Sequence, residues 1–575
     1  MLKELAKCLK GKYKKLAICT PLLIVGEVVM ETLIPFIMAK LVDIGIQNGD
    51  IGYVLEMGGL MVLMSIFSLC FGAAAGRTAA VSGMGFAKTI REKLFYKIQD
   101  FSFYNVDKFS TPSLVTRLTT DVTNTQNAFM MIIRMLIRAP LMLIMATFMA
   151  FNINAKMSLM FLLAIPVLGV AIAIIISHAY PKFQSMLKKY DKLNSRVQEC
   201  LIGIRVVKAF VRGEYEKKKF ENAAGQVGQK SKDAEKLIIL NMPIMQIIVY
   251  ACIVSVLWFG GNMIVNGAMQ TGEIVSFITY ITQILMSLMM ISMAFVMLVI
   301  SKASAIRITE VLQEEIDIKD PINHDKKVKD GSVKFENVAF SYSKDITNCA
   351  VRHIDIDIKS GETVGIIGGT GSAKTSLVQL IPRLYDVAEG NVKVGGVDVR
   401  DYDLKTLRNE VAMVLQNNVL FSGTIIENLR WGNENATDEK IITACKAAQA
   451  HDFIMSFPDG YQTNLGQGGV NVSGGQKQRL CIARALLKQP KIIILDDSTS
   501  AVDTATDSKI RSAFARELKD TTTIIIAQRI TSVSDADKII VMDSGRVNAI
   551  GTHDELLKNN EIYREVYNSQ QKGVA

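Results

Sequence analysis

The chain has 575 residues, 49% of them hydrophobic and 21% charged, with a net charge of +10. That mixture is too apolar for a disordered chain and high for a single water-soluble globule, so either the whole chain is mildly apolar or a membrane part is averaged with a soluble one, and the length allows roughly four domains of about 150 residues. Residues 1–330 carry +12 and 25 of the 28 Met, whereas residues 331–575 carry −2, so the basic excess marks membrane orientation and no nucleic-acid partner is expected.

Six lysines (3, 7, 10, 12, 14 and 15) precede the first apolar run, and no small-residue cleavage site follows it. This predicts a retained membrane helix, not a signal peptide. Spanning a bilayer takes about 20 apolar residues. Met57–Gly76 is uncharged for 20 residues, Met157–Tyr180 for 24, Leu237–Gly272 for 36 and Ile274–Ser301 for 28. Stretches near 16–42 and 123–152 are apolar with a few charges. Splitting the longest run at Val265–Gly272 predicts six helices, near 16–42, 53–98, 123–152, 157–205, 215–264 and 273–312, in a transmembrane domain over 1–312.

The segments 45–52 and 265–272 lack Lys and Arg, and 152–156 has only Lys156, whereas 86–122 and 182–236 are rich in both. The positive-inside rule predicts a multi-pass protein of the cell membrane, set in the lipid bilayer, with both termini cytoplasmic. The two cytoplasmic connections read as helix, so the second to fifth helices extend well beyond the bilayer. Glu27 and Glu31 share a face of the first helix, and Arg134 and Arg138 share one of the third. At about 1.5 Å per residue, all four lie roughly 20–27 Å below the outer surface. They suit an interhelical ion pair or, for the Glu pair, recognition of a cationic substrate. Met286, Met289, Met290, Met293 and Met297 form one face of the sixth helix. A Met face suits a packed core or an adaptable cavity, with Met286, Met290 and Met293 as candidate substrate contacts. The eight Cys include no C-x-x-C pair and read as reduced, buried small hydrophobes.

Charged, Pro-containing sequence over 313–330 predicts a linker, and 331–575 a second domain. Strand-like runs occur at Ser332–Tyr342, Ile354–Ile358 and Thr363–Ile367. After the third comes Gly368-Gly369-Thr370-Gly371-Ser372-Ala373-Lys374-Thr375, followed by Ser376. A strand, a Gly-rich loop and a helix start make a phosphate cradle. Lys374 would reach the β- and γ-phosphates and Thr375 a Mg²⁺ ion. Ile492–Asp496 predicts a buried strand ending in a metal-binding carboxylate. Val472-Ser473-Gly474-Gly475-Gln476 opens a helical stretch, Lys477–Leu487, and makes a second anion-binding helix start about 100 residues later. One nucleotide does not need both. Two facing chains, each supplying one site's cradle and the other site's lid, use both.

Together these motifs resemble an ATP-binding-cassette exporter of the half-transporter type. The resemblance implies an all-α six-helix membrane domain followed by an α/β P-loop nucleotide-binding domain, with ATP and Mg²⁺ as cofactors. It implies that Tyr342 stacks on adenine and that Gln416 reaches the metal and the membrane domain. Ser473, Gly474, Gly475 and Gln476 would cap the partner's ATP, Asp496 would bind Mg²⁺, and the loop Ser500–Asp503 would cross the dimer interface through Asp503. Thr116–Asp121 and Gly203–Phe210 are similar to segments around the coupling regions.

Three positions depart from the family pattern. Asp497 stands where the catalytic Glu is usual, and loses about 1.5 Å of reach. Gln528 stands where a switch His is usual and cannot pass a proton. Ala373 replaces the second P-loop Gly, where a Cβ could crowd the phosphate. These changes resemble the weak-site subunit of heterodimeric multidrug exporters. They imply a homologous partner half-transporter with the Glu and the His, and a hydrophobic or amphipathic small-molecule substrate. A homodimeric exporter of low turnover and an ATP-gated channel or regulator are the competing readings.

Overall fold

The computed structural model describes residues 2–321, 327–343, 345–497 and 502–572. The chain forms two units: one of residues up to Gln99 plus Ser110–Glu314, the other of Asp100–Phe109 plus the chain from Glu315.

In the first unit, among the described residues, six helices are long and apolar enough to cross a membrane. They occupy Gly11–Ile46, Ile51–Gln99, Thr111–Ile153, Ala155–Ile202, Gly213–Val265 and Thr271–Phe295, the last continuing to Gln313. The 49 residues of Ile51–Gln99 reach roughly 74 Å, more than twice a hydrocarbon core of about 30 Å. The break in the long uncharged run has a local cause. Gly267 adopts a left-handed φ of 70°, and Gln270 and Glu273 then form a reciprocal cap that starts the sixth helix. The first and sixth helices are tied by Gly272 N–H donating to the buried Asp43 at 2.5 Å and by Tyr280 Oη donating to the Thr32 carbonyl at 2.8 Å.

Intramembrane charge is met within the unit. Arg138 pairs with Glu27 at 3.2 Å and Glu31 at 2.7 Å, and Gln283 Nε2 donates to the Glu31 carbonyl at 3.5 Å. Arg134 lies beside Gly76 of the second helix. Further along, the buried Asp121 accepts from Arg307 Nε at 2.7 Å, and Arg117 pairs with Glu310 at 3.0 Å. Met286, Met293 and Met297 are exposed and Met290 is half-buried, so most of the stripe faces away from this unit's core. The cysteines are free but not uniformly buried: Cys8 and Cys445 are buried, whereas Cys70 is exposed. Cys70 sits in the apolar stretch of the second helix, where side chains face outward as they do toward lipid.

The second unit holds two main sheets. β1 (Val333–Phe340), β2 (Val351–Ile358), β4 (Glu389–Val394) and β5 (Val397–Asp398) run in the order β2-β1-β4-β5. The larger sheet joins β3 (Thr363–Gly368), β6 (Val411–Val414), β9 (Ile492–Asp496), β10 (Thr522–Ile526), β11 (Lys538–Asp543) and β12 (Arg546–Gly551) in the order β12-β11-β3-β10-β9-β6. β7 (Gly423–Thr424) and β8 (Asn464–Leu465) form a small separate pair. In the larger sheet all but β12 are parallel, and their register aligns Ile366, Ile526 and Asp496. β9 is buried throughout, which explains its unbroken Ile-Ile-Ile-Leu run. The carboxyl ends of β3, β6, β9 and β10 therefore meet at one edge, where ligands bind in open α/β sheets.

Asp100–Phe109 belongs to this second unit although membrane helices flank it in sequence. Its helix, Phe103–Phe109, packs Tyr104 against the domain core. Phe103 meets Tyr385 at 5.9 Å, and Tyr385 Oη donates to Asp107 Oδ2 at 2.7 Å. In Thr116–Asp121, by contrast, Arg117 pairs with Glu310 and Asp121 with Arg307, inside the first unit.

Candidate nucleotide site

β3 delivers the chain to Gly368, where any Cβ would strike the Met542 carbonyl of neighbouring β11. The loop then turns through Gly371 at φ 84° and Ala373 at φ 69°, and the helix Lys374–Gln379 begins. Ala373 also carries a cost in its backbone. It packs against the domain core, and its left-handed backbone is one that L-residues resist. Lys374 Nζ lies across the loop, donating to the carbonyls of Gly368 and Gly369 at 2.8 Å each and to Ser372 Oγ at 3.3 Å. Burial lowers its pKa, and the nearby Asp496 and Asp497 oppose that shift.

Thr375 Oγ1 donates to Asp496 Oδ1 at 3.1 Å, which joins the helix start to the end of β9. Asp496 is 2% exposed, and its Oδ2 is buried without a hydrogen-bond partner among the described residues. Burial raises its pKa, the Thr375 bond lowers it, and Asp497 raises it further. A buried, incompletely satisfied carboxylate beside a hydroxyl fits a hard cation. Thr375 and Asp496 would hold Mg²⁺, and the ion would neutralise phosphate charge there.

Asp497 follows at φ 49°. Its Oδ2 accepts from Gln528 Nε2 at 2.8 Å, and its carbonyl accepts from Gln478 Nε2 at 3.4 Å. The residues in the usual base and switch positions are thus bonded to one another. Tyr342 stands edge-on to Phe340 and Tyr385 with centroids 4.8 and 5.3 Å away, and its Oη meets the Oγ of the buried Ser376 at 2.8 Å. That anchors an exposed ring beside the cradle. Gln416 is exposed on the loop after β6, and its carbonyl accepts from Asn418 at 3.5 Å.

The second helix start is built differently. Ser473 Oγ accepts from Gln476 N–H at 3.3 Å, and Gln476 Oε1 accepts from Ser473 N–H at 2.8 Å. This reciprocal cap opens the helix Gly474–Leu487, and Ser473 and Gly474 stay exposed. The helix buries Leu480 and Ile482 in a hydrophobic cluster separate from the one that takes Leu377 and Val378 behind the cradle. Asp503 caps the helix Thr504–Glu517 by accepting from Thr506 N–H at 2.9 Å, while Ser500 and Ala501 lie outside the described residues.

Several contributors escaped sequence reasoning: Gln478, Tyr385, Gln570 and the segment 100–109. Only the last left a signal, a cluster of Phe101, Phe103, Tyr104 and Phe109 inside an otherwise charged connection.

Six membrane-length helices joined to a P-loop domain define a membrane transport ATPase. The family profile described as ABC transporter transmembrane region matches residues 17–307, and the one described as ABC transporter matches 351–500. The uncharacterised ABC transporter ATP-binding protein YfiB of Bacillus subtilis is 38% identical over 558 residues, 97% of both chains. The ATP-dependent lipid A-core flippase of Desulfotalea psychrophila is 32% identical over 499 residues, 85% of both chains. A bacterial Atm1-family ABC exporter with ATP bound shares the fold at TM-score 0.83 and 24% identity, covering 97% of this chain and 98% of that one. The chain belongs to the ABC transporter family. It is a half-transporter, one membrane domain joined to one ATPase domain that couples ATP hydrolysis to transport.

Proposed function

We propose that this chain is the weak-site subunit of a heterodimeric exporter of hydrophobic or amphipathic compounds. Its own P-loop binds Mg-ATP and turns it over slowly. Ser473 and Gly475 complete the partner's site, where a Glu and a His carry most turnover. One observation carries the reading: Gln528 Nε2 bonds Asp497 Oδ2 at 2.8 Å. The aspartate is short by about 1.5 Å, and misplacement on the order of 1 Å costs roughly 10²-fold in rate. A carboxylate already committed to an amide is also a poor acceptor for a water proton.

A lipid-like or multidrug substrate is supported by the exposed Met face and by the names of relatives. One is the flippase; another is YgaD of B. subtilis, 34% identical over 493 residues, whose name proposes multidrug export. Two carboxylates, Glu27 and Glu31, share one guanidinium, which favours a cationic headgroup nearby. Both termini are cytoplasmic on this reading, since the Lys- and Arg-rich connections lie on that side.

Restoring Asp497→Glu together with Gln528→His tests the reading. ATPase of the assembled transporter should rise about tenfold at this chain's site. Unchanged turnover and unchanged nucleotide occlusion would sink it. So would a homodimer of this chain alone with full substrate-stimulated ATPase.

A further inference from the structure

The loop that carries Gln528 is held from two sides. On one side stands the helix Thr504–Glu517. From it Arg511 Nη1 donates to the Thr531 carbonyl at 2.9 Å, and the buried Asp507 accepts from Ser532 Oγ at 3.3 Å. On the other stands the C-terminal helix Glu561–Lys572, whose Gln570 makes two bonds to the loop backbone. Its Nε2 donates to the Gln528 carbonyl at 2.7 Å, and its Oε1 accepts from Ile530 N–H at 2.9 Å.

Those two bonds bracket the turn that aims the Gln528 side chain. Ile530 is buried with Val533 and Tyr563, and Val566 and Tyr567 of the C-terminal helix pack on the same cluster. The rest of the loop is therefore fixed by packing, and the exposed Gln528 depends on polar contacts for its backbone direction. The amide donates to the carbonyl and accepts from the N–H at once. Glutamate keeps the acceptor alone, and Ala keeps neither.

We propose that Gln570 is a positioning residue for the nucleotide switch, making the C-terminal helix a brace that sets how Gln528 meets the terminal phosphate. The proposal deepens the site reading above and rests on Gln528 being that switch. Gln570 touches no nucleotide itself. Its loss should leave the P-loop's hold on the α- and β-phosphates intact and weaken only what depends on the γ-phosphate.

The test is equilibrium binding of Mg-ATP and Mg-ADP to the full-length chain, with amide exchange of residues 527–533 read alongside. Gln570→Ala should lower the preference for ATP over ADP about fivefold, leave ADP affinity unchanged, and speed local exchange about tenfold. Gln570→Glu, which retains the Ile530 bond, should protect the loop better than Ala yet still lose the preference. Should exchange rise throughout β1 as well, the Ala variant has lost its fold and Gln570→Glu decides. Gln528→Ala is the control. If it lowers the preference and neither Gln570 variant does, the brace is overturned alone. If none of the three lowers it, the switch reading falls and the brace falls with it.

Discussion

Two helix starts in the ATPase unit, at Lys374 and at Gly474, are built differently. At Lys374 the chain enters through Ala373 in a left-handed conformation, with no side-chain cap. At Gly474 it enters through Ser473 in extended backbone, with a reciprocal Ser473–Gln476 cap. The same division runs through the surrounding residues. Around the first, the base and switch positions hold a short carboxylate and an amide bonded to one another. Around the second, the glycines stand open to solvent or nearly so. A helix start that retains its cap and its approach is suited to serve a competent site; the other is suited to hold nucleotide without rapid turnover. On the proposed weak-site reading, one domain lends good geometry to a second site while its own chemistry is poor.

Damage to each start should then have unequal effects. On the proposed weak-site reading, Gly475→Asp puts a carboxylate where the partner's phosphates arrive, and should cut ATPase of the assembled transporter about 10²-fold or more. On that reading Lys374→Ala disables only the slow site and should leave at least roughly a third of the activity, because the dominant turnover would lie at the partner's site. Steady-state ATPase of the two variants checks this. If Lys374→Ala proves the more damaging, the asymmetry is broken.

The cradle's charge gives a second, smaller contrast. Burial holds the Asp496 carboxyl above its ordinary range. A raised carboxyl pKa means that the folded chain prefers the protonated form. That preference stabilises the fold at low pH and is lost as pH rises through the raised value. At neutral pH the ionised, buried oxygen destabilises the nucleotide-free chain. Asp496→Asn should therefore raise its stability by about 1 kcal/mol near pH 7, with the gain vanishing below the ordinary aspartate range. The same change should remove the extra stabilisation that Mg²⁺ adds to ATP. Thermal unfolding with ATP, with and without Mg²⁺, at two pH values reads both effects.

How much was legible beforehand follows the range of the physical cause. Uncharged runs identify the membrane helices because a bilayer imposes a length, and six helices of that length and apolarity are present among the described residues. The cradle is legible because its Gly, Lys and Thr are contiguous, and β9 because burial on both faces makes it continuously apolar. What pairs across distance was not legible. Arg138, not Arg134, takes both Glu27 and Glu31, which depends on helix rotation that no local pattern encodes. Gln570 reaches Gln528 from 42 residues away, and Tyr385 reaches Asp107 across 278. The left-handed φ of 69° at Ala373 was not legible either, because it is set by the turn of the loop and not by the residue type.

That residue carries the smallest prediction. A left-handed L-residue costs about 1–2 kcal/mol relative to its preferred backbone, and Gly does not incur this. Gly gives back roughly 0.5–1 kcal/mol through the extra freedom of the unfolded chain. Ala373→Gly should therefore stabilise the chain by about 0.5 kcal/mol, whereas Ser473→Ala, which removes a cap, should cost about 1 kcal/mol. Chemical denaturation of the two full-length variants gives both signs. The methyl also packs against the core beside the cradle. Should Ala373→Gly destabilise instead, that packing outweighs the backbone strain. The first helix start would then be a compensated variant and not a weakened one, and the two helix starts would differ in local design without differing in soundness.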